Sequence, residues 1–290
     1  MMLRLADALG RGRGRMRLLD GCNPPPRARV KPDLRGWQDH SLAAAWIGHA
    51  TVLLRIDGMT VLTDPVMSNR VGVGLGLVTA GPRRSTAAAL DVAELPPLDL
   101  ILVSHAHFDH LDRPTLSRLN KNVPVITAHH TRDLIDDLGF RNVTELRWGE
   151  SKQQGPLRIT AAAVRHWGAR LFYDDYRGFN GYLLESPRHR VLYGGDTAYH
   201  DGFAELGRIN MAIFGIGAYN PYIAAHANPE QVWRMADHVR ANYVLPIHHR
   251  TFRLGHEPEH EPMERLLGAA GRGEDRIIIR EIGASWHGDE

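Results

Sequence analysis

Three imidazoles and a carboxylate fall within one short run, Ser104-His105-Ala106-His107-Phe108-Asp109-His110-Leu111-Asp112. A hydrophobic core does not select such a run, and His-x-His-x-Asp-His is a pattern rather than a stray histidine. Where the backbone is extended, alternate side chains point the same way, so His105 and His107 can share one metal ion. Once the chain turns, Asp109 and His110 can face a second. Imidazole and carboxylate donors suit Zn2+ or a similar first-row divalent ion. The blander readings are a solvated polar loop or a single structural zinc, which more often recruits cysteine.

One loop cannot close two metal sites, so further donors must come from elsewhere. His166 follows the apolar run Leu157 to Val164, and His248 follows Tyr243 to Ile247. Asp196 follows Val191-Leu192-Tyr193 through Gly194-Gly195, whose missing side chains allow a close backbone approach. Singly, each has an ordinary explanation as a hydrogen-bonded histidine or a turn-capping aspartate. Their joint appearance beside the local cluster favours a ligand set.

The elements that must position these residues are legible as patterns. Ala43 to Gly48, Thr51 to Ile56 and Thr60 to Thr63 read as strands, the last two joined at the turn Asp57-Gly58. Leu98 to Val103 is a continuous apolar run, as in a strand buried on both faces. Pro114 suits the first turn of a helix after the metal loop. Val123 to Thr127 reads as the next strand, followed by a helix through Leu138. Further strands are expected at Leu157 to Val164, Gly181 to Glu185, Arg190 to Tyr193, Met211 to Ile216, Tyr243 to Ile247 and Arg276 to Ile282. A helix from Pro229 to Val239 has Asn228 as its cap. The glycines of Val71 to Ala80 argue against a helix there and lead to a loop.

Residues 1–40 read as an irregular basic lead-in and 41–290 as a single domain. About a dozen strands with helices between them is too many for a simple doubly wound sheet. Two mixed sheets face to face with helices outside, an αββα four-layer sandwich of the α/β class, is the economical solution.

With these stretches in view, the sequence resembles the metallo-β-lactamase superfamily. More narrowly it is similar to the N-acylphosphatidylethanolamine-hydrolysing phospholipase D family and its bacterial relatives. The likeness is carried by WIGHATVLLRIDGMTVLTDP (Trp46 to Pro65), GPRR (Gly81 to Arg84), SHAHFDHLD (Ser104 to Asp112) and RHW (Arg165 to Trp167). GGDTAYHDGFAELG (Gly194 to Gly207), IGAYNP (Ile216 to Pro221) and IHHRTF (Ile247 to Phe252) complete it, so that it spans residues 42 to 262. The resemblance implies His105, His107 and His166 on one metal, and Asp109, His110 and His248 on the other, with Asp196 bridging. It implies that Asp64, in Thr-Asp-Pro, supports the metal loop from behind the ligands. His49 matches a position near the mouth of the site, where contact with substrate, support of a ligand and simple packing all stay open. His226 sits where the phospholipase has a histidine near its substrate. The sequence departs from that family at His249-Arg250, which replace a Trp-Gly pair, and in its short lead-in.

Two cations about 3.5–4 Å apart acidify a shared water, giving a bridging hydroxide near neutral pH that attacks phosphorus or a carbonyl carbon. Asp109 is then placed to orient the nucleophile and carry its proton. The expected activity is that of a dinuclear metal-dependent hydrolase of phosphodiesters, a phospholipid being the leading example. The alternative is a lactonase or another carboxylic ester or amide hydrolase on the same centre. Zinc is the first choice of metal, with Mn2+ or Fe2+ also compatible. A catalytically dead relative would lack a ligand, and all seven are present.

The 290 residues carry a net charge of +2, 43% hydrophobic and 23% charged residues, ordinary values for a globular chain. Near-neutral charge, with no basic stripe interleaved with aromatics, argues against a nucleic-acid partner. One cysteine, Cys22, permits no intrachain disulfide and fits a reducing cytoplasm. The scarcity of lysine beside abundant arginine, alanine and glycine suggests a bacterial, GC-rich source. Met1 to Arg35 holds nine basic residues against three acids, without the apolar run of a secretory signal. That arm, together with the apolar Val71 to Ala80 segment flanked by Arg70, Arg83 and Arg84, allows peripheral contact with anionic lipid. A homo-oligomer is also open.

Overall fold

The computed structural model describes residues 24–75 and 78–288. The first part of the basic lead-in, with Cys22, lies outside the described residues.

The strands are β1 (Leu42–Gly48), β2 (Thr51–Ile56), β3 (Met59–Thr63), β4 (Val73–Leu75), β5 (Val78–Ala80), β6 (Leu100–Val103), β7 (Val125–Ala128) and β8 (Val143–Leu146). There follow β9 (Ser151–Gln154), β10 (Leu157–Ala162), β11 (Gly181–Glu185), β12 (Arg190–Tyr193), β13 (Met211–Gly215), β14 (Tyr243–Ile247) and β15 (Ser285–His287). One sheet has the order β15-β1-β2-β3-β6-β7-β8 and the other β14-β13-β12-β11-β10-β9. Each changes from antiparallel to parallel pairing partway across, the first at β3–β6 and the second at β12–β13.

Side-chain alternation sets the layers. In β1, Leu42, Ala44 and Trp46 join one buried cluster while Ala43, Ala45 and Ile47 join another. In β13, Met211 and Ile213 face the first sheet's inner residues, whereas Ala212 and Phe214 pack outward. A period of two with both faces buried places each sheet between two apolar layers. The outer face of the first sheet is covered by α1 (Arg113–Arg118) and short turns of 3-10 helix. The second is covered by α2 (Pro229–His238) and α3 (Glu261–Ala270). The expected four-layer sandwich is therefore the observed one. Asn228 caps α2 as expected, its side chain accepting from Gln231 N while Gln231 returns the bond.

Several expectations need correction. Val71 to Ala80 forms a hairpin of β4 and β5, with residues 76 and 77 outside the described set. Its glycines serve close pairing: a Cβ on Gly72 would lie 2.0 Å from Ala80 O, and one on Gly81 2.0 Å from Val71 O. The helix expected up to Leu138 is two 3-10 turns, Arg132–Leu134 and Asp136–Leu138. Arg276 to Ile282 is not a strand but pairs only at Ile277 with Val244. Its Ile277 joins the outer cluster while Ile279 and Ile282 join the inner one, so the segment wraps a sheet edge and cannot continue a ladder.

Candidate metal centre

The parallel strands of both sheets end at one edge, and the chemistry collects there. β3 delivers Asp64, β6 delivers the run from His105 to His110, β12 delivers Asp196 and β14 delivers His248. His166 follows β10, His49 sits in the β1–β2 turn, and His226 precedes α2. Every sequence-derived candidate thus arrives at the same place.

The donors form two main sets, and a third, Asp196, His226 and His248, overlaps them. In one, His105, His107, His166 and Asp196 each offer an atom within 4.8 Å of the others. His107 Nδ1 stands 2.8 Å from His105 Nε2 and 3.2 Å from His166 Nε2. The other set brings together His49, Asp109, His110 and His248. Asp196 Oδ2 lies between the sets, 3.1 Å from His110 Nε2, 3.2 Å from His248 Nε2, 3.7 Å from His166 Nε2 and 3.9 Å from His105 Nε2. His226 Nδ1 is 3.9 Å from the same oxygen.

The donor chemistry fits divalent metal. Metal–nitrogen and metal–oxygen bonds of about 2.0–2.2 Å place tetrahedral donors about 3.3 Å apart, close to most of these separations. Among the described residues, His110 Nε2, both ring nitrogens of His248 and Asp196 Oδ1 are buried without a hydrogen-bond partner. Unmatched polar atoms inside a protein are costly, and His110 Nε2 and His248 Nε2, both facing Asp196 Oδ2, mark a place built for a cation.

Electrostatics agree. Burial opposes ionisation of Asp109 and Asp196, yet the His110 ring, with His248 and other neighbours, holds both carboxyls well below the usual range. Burial likewise opposes protonation of His110 and His248, but Asp196 and Asp109 outweigh it, raising His248 to about 9 and His110 well above an ordinary imidazole. Burial dominates at His105 and His166, which are held well below the ordinary value, and at His107 and His226, each held at about 4. Neutral imidazole is the form that ligates, so His105, His107 and His166 are ready to do so, whereas His110 and His248 must lose a proton when an ion takes its place.

Support comes from behind. Asp64 is fully buried and takes Ser104 N–H on Oδ1 at 2.6 Å. Its Oδ2 accepts from the hydroxyls of Ser104 at 2.6 Å and Tyr193 at 2.5 Å, and meets His110 Nδ1 at 2.6 Å. His166 Nδ1 lies 3.1 Å from Ala225 O. Arg170 braces the metal loop, donating to Ala106 O at 2.6 Å and Leu111 O at 2.9 Å while lying over the Phe108 ring. Gly195, at φ +56, sits tightly packed: a Cβ there would lie 2.9 Å from Asn180 O and 3.0 Å from Ser104 Cβ.

Sequence reasoning missed Tyr193, Arg170 and Thr251. Tyr193 had a usable signal, since it alternates inward with Val191 and a buried phenol must find a partner. His249, flagged for its departure from the family, lies buried against Trp46 at 4.7 Å between ring centroids, whereas Arg250 lines a small cleft with Gly217, Ala218 and Phe252.

Comparison with known proteins places the chain among relatives. Residues 59–249 match the β-lactamase superfamily domain. The chain is similar to an uncharacterized protein of Mycobacterium tuberculosis, 33% identical over 259 residues, covering 84% of this chain and 68% of that one. It is also similar to an N-acyl-phosphatidylethanolamine-hydrolyzing phospholipase D of Caenorhabditis elegans, 30% identical over 278 residues, covering 87% of this chain and 77% of the relative. Among solved structures, an isothiocyanate hydrolase from Delia radicum gut bacteria shares the fold, with a TM-score of 0.69 at 20% identity over 85% of this chain and 98% of that one.

Proposed function

Because this chain belongs to the metallo-β-lactamase superfamily and is a metal-dependent hydrolase within it, we propose that it hydrolyses phosphodiesters, with phospholipids of the N-acylphosphatidylethanolamine type as the leading substrate. Asp196 carries the two-metal part of this reading, because its Oδ2 stands between both donor sets and would serve two ions at once. His105, His107 and His166 would hold one ion, and Asp109, His110 and His248 the other. Zn2+ fits these donors first, with Mn2+ and Fe2+ as alternatives. Such a pair supplies Lewis acidity, acidifying water and neutralising the charge that develops on a phosphoryl oxygen.

The remaining work falls to side chains. Asp109, held by His49 Nε2 at 2.8 Å from its Oδ2, is the carboxylate placed to take a proton from the attacking water and return it to the departing alkoxide. His226, at the lip beside Trp167, is placed to hydrogen-bond a non-bridging phosphoryl oxygen. Two features support phosphodiesters over lactones or other esters. The first is the activity named for the nematode relative. The second is an aromatic rim on the segment leaving His166, where Phe172 is 67% and Tyr173 77% exposed and Tyr176 and Trp167 are also exposed. Arg170 on the metal loop, and Arg177 on Asp174 and Asp133, hold that segment in shape. Exposed Val73 on the β4–β5 hairpin and Ile223 before His226 extend the apolar character, and such residues suit the interface of a lipid surface. Among the described residues no helix is long and apolar enough to cross a membrane.

The test is to load the protein with zinc or manganese and assay bis-p-nitrophenyl phosphate, N-acylphosphatidylethanolamine vesicles, simple lactones and a β-lactam. Phosphodiester turnover that Asp109→Asn abolishes is expected, and turnover of lactones alone overturns the reading. Phe172→Ser with Tyr173→Ser should slow vesicle turnover while sparing the soluble diester. Equal slowing of both would remove the rim from the account.

A further inference from the structure

Three of the seven ligands in the centre have a group behind them that fixes their orientation. His105 Nδ1 has Ser104 Oγ at 2.9 Å, His166 Nδ1 has Ala225 O at 3.1 Å, and His110 Nδ1 has Asp64 Oδ2 at 2.6 Å. Among the described residues, Asp109 and the side chain of His248 have no such carbonyl or acid. What stands behind both is His49.

His49 is fully buried, and its backbone and ring are held by neighbours, though its Nδ1 has no partner among the described residues. Its N–H donates to Thr251 Oγ1 at 2.8 Å, and its carbonyl accepts from the Trp46 indole at 2.8 Å and from His248 N at 3.1 Å. Its ring lies 4.1 Å from the His248 ring and edge-on to Phe252 at 5.0 Å. These contacts hold it at φ +54, a left-handed conformation unfavourable for a residue with a Cβ and kept only where the surroundings over-determine it. A turn under that much restraint sets an angle.

His49 Nε2 could ligate or could serve the ligand Asp109. It stands 2.8 Å from Asp109 Oδ2, whereas His248 and His110 stand 3.4 and 3.6 Å from that oxygen. A neutral imidazole N–H facing a carboxylate at 2.8 Å makes a hydrogen bond, unlike the two imidazoles His105 and His107 at the same distance, and the 3.4 and 3.6 Å contacts match donors to a common ion. From this we infer that His49 is the positioning residue of the second metal position: its ring N–H fixes Asp109 and its peptide carbonyl fixes His248. One turn thereby sets two of the three donors that are not shared with the first ion. The inference rests on the dinuclear reading above.

The test uses the full chain, stripped of metal and titrated with Zn2+ or Co2+ against a chromophoric chelator. Partners of ligating carboxylates typically contribute 10–100-fold to metal affinity, so His49→Ala should weaken the second binding step by about that factor and leave the first within about threefold. His49→Gln, whose amide N–H reaches where Nε2 stands, should recover most of the loss, and His49→Asn, too short, should not. If His49→Ala does not fold, the contrast between the Gln and Asn variants carries the test. Unchanged binding in the variants, or equal weakening of both steps, overturns the inference. So does a Co2+ spectrum that loses a nitrogen donor in both the Gln and Ala variants, which would make His49 a ligand. A wild-type chain that takes up only one ion sinks the dinuclear reading first.

Discussion

Asp64→Asn replaces one carboxylate oxygen with an amide nitrogen and should unsettle both the fold and the second metal position. Four donors converge on this unexposed carboxylate: Ser104 N–H on Oδ1, and Ser104 Oγ, Tyr193 OH and His110 Nδ1 on Oδ2. Hydrogen bonds to a charged group contribute about 1.5–3 kcal/mol each, though not additively. If the asparagine carbonyl stays on Ser104 N–H, its NH2 faces three groups that had been donating. The two hydroxyls can rotate and accept, but the imidazole can accept only by moving its proton to Nε2, the atom meant for metal. A broken buried network of this kind costs about 3–5 kcal/mol. The tautomer change should also weaken the second ion about 10–100-fold. Urea unfolding of the metal-free protein reads the first quantity and zinc titration the second. A variant within about 1 kcal/mol of wild type that binds its second zinc normally would refute the idea that Asp64 sets the His110 tautomer.

Gly217→Ala should weaken the same ion, because a Cβ there would lie 2.2 Å from His248 O and the ligand-bearing backbone must shift; calorimetry should show about 1–3 kcal/mol of destabilisation. Gly268→Ala is the contrasting case, in helix α3 with open space where the Cβ would go, and should raise the unfolding midpoint by about 0.5–1 kcal/mol equivalent. Asp57, in the β2–β3 turn, ties the two sheets by accepting from Ser186 Oγ at 2.7 Å and Arg188 Nε at 2.7 Å. Burial pushes its carboxyl up, but those bonds and the Arg188 amide outweigh burial and hold it below the ordinary value. Its contribution is therefore complete above the unfolded value of about 3.9 and lost as pH falls through the lower folded value. Asp57→Asn should cost about 1–2 kcal/mol at pH 7, and the gap from wild type in denaturant melts should close in acid; a gap independent of pH would remove the charge from the explanation.

The ligands were legible because their signals are local or positional. His105 to His110 lie in one run, and Asp196, His166 and His248 each follow a strand whose end reaches the shared edge. Asp64, His49 and His226 have no such signature and entered through family resemblance. Thr251 and the Ala225 carbonyl act through a common hydroxyl and a backbone atom, which no residue pattern announces. Hydrophobic periodicity also failed at β9, an edge strand of Ser-Lys-Gln-Gln whose side chains face solvent and whose order comes from pairing with β10. Helix α3 was not among the expected elements although Met263, Leu266 and Ala270 lie on its buried face; Pro262 occupies its first turn, where its missing N–H has no cost.

Zinc-edge absorption and anomalous diffraction on the loaded protein test the central claim most directly. Two ions per chain are expected, about 3.5–4 Å apart, one on His105, His107 and His166, the other on Asp109, His110 and His248, with Asp196 touching both. A single ion per chain, or a pair that leaves Asp196 unbound, would contradict it.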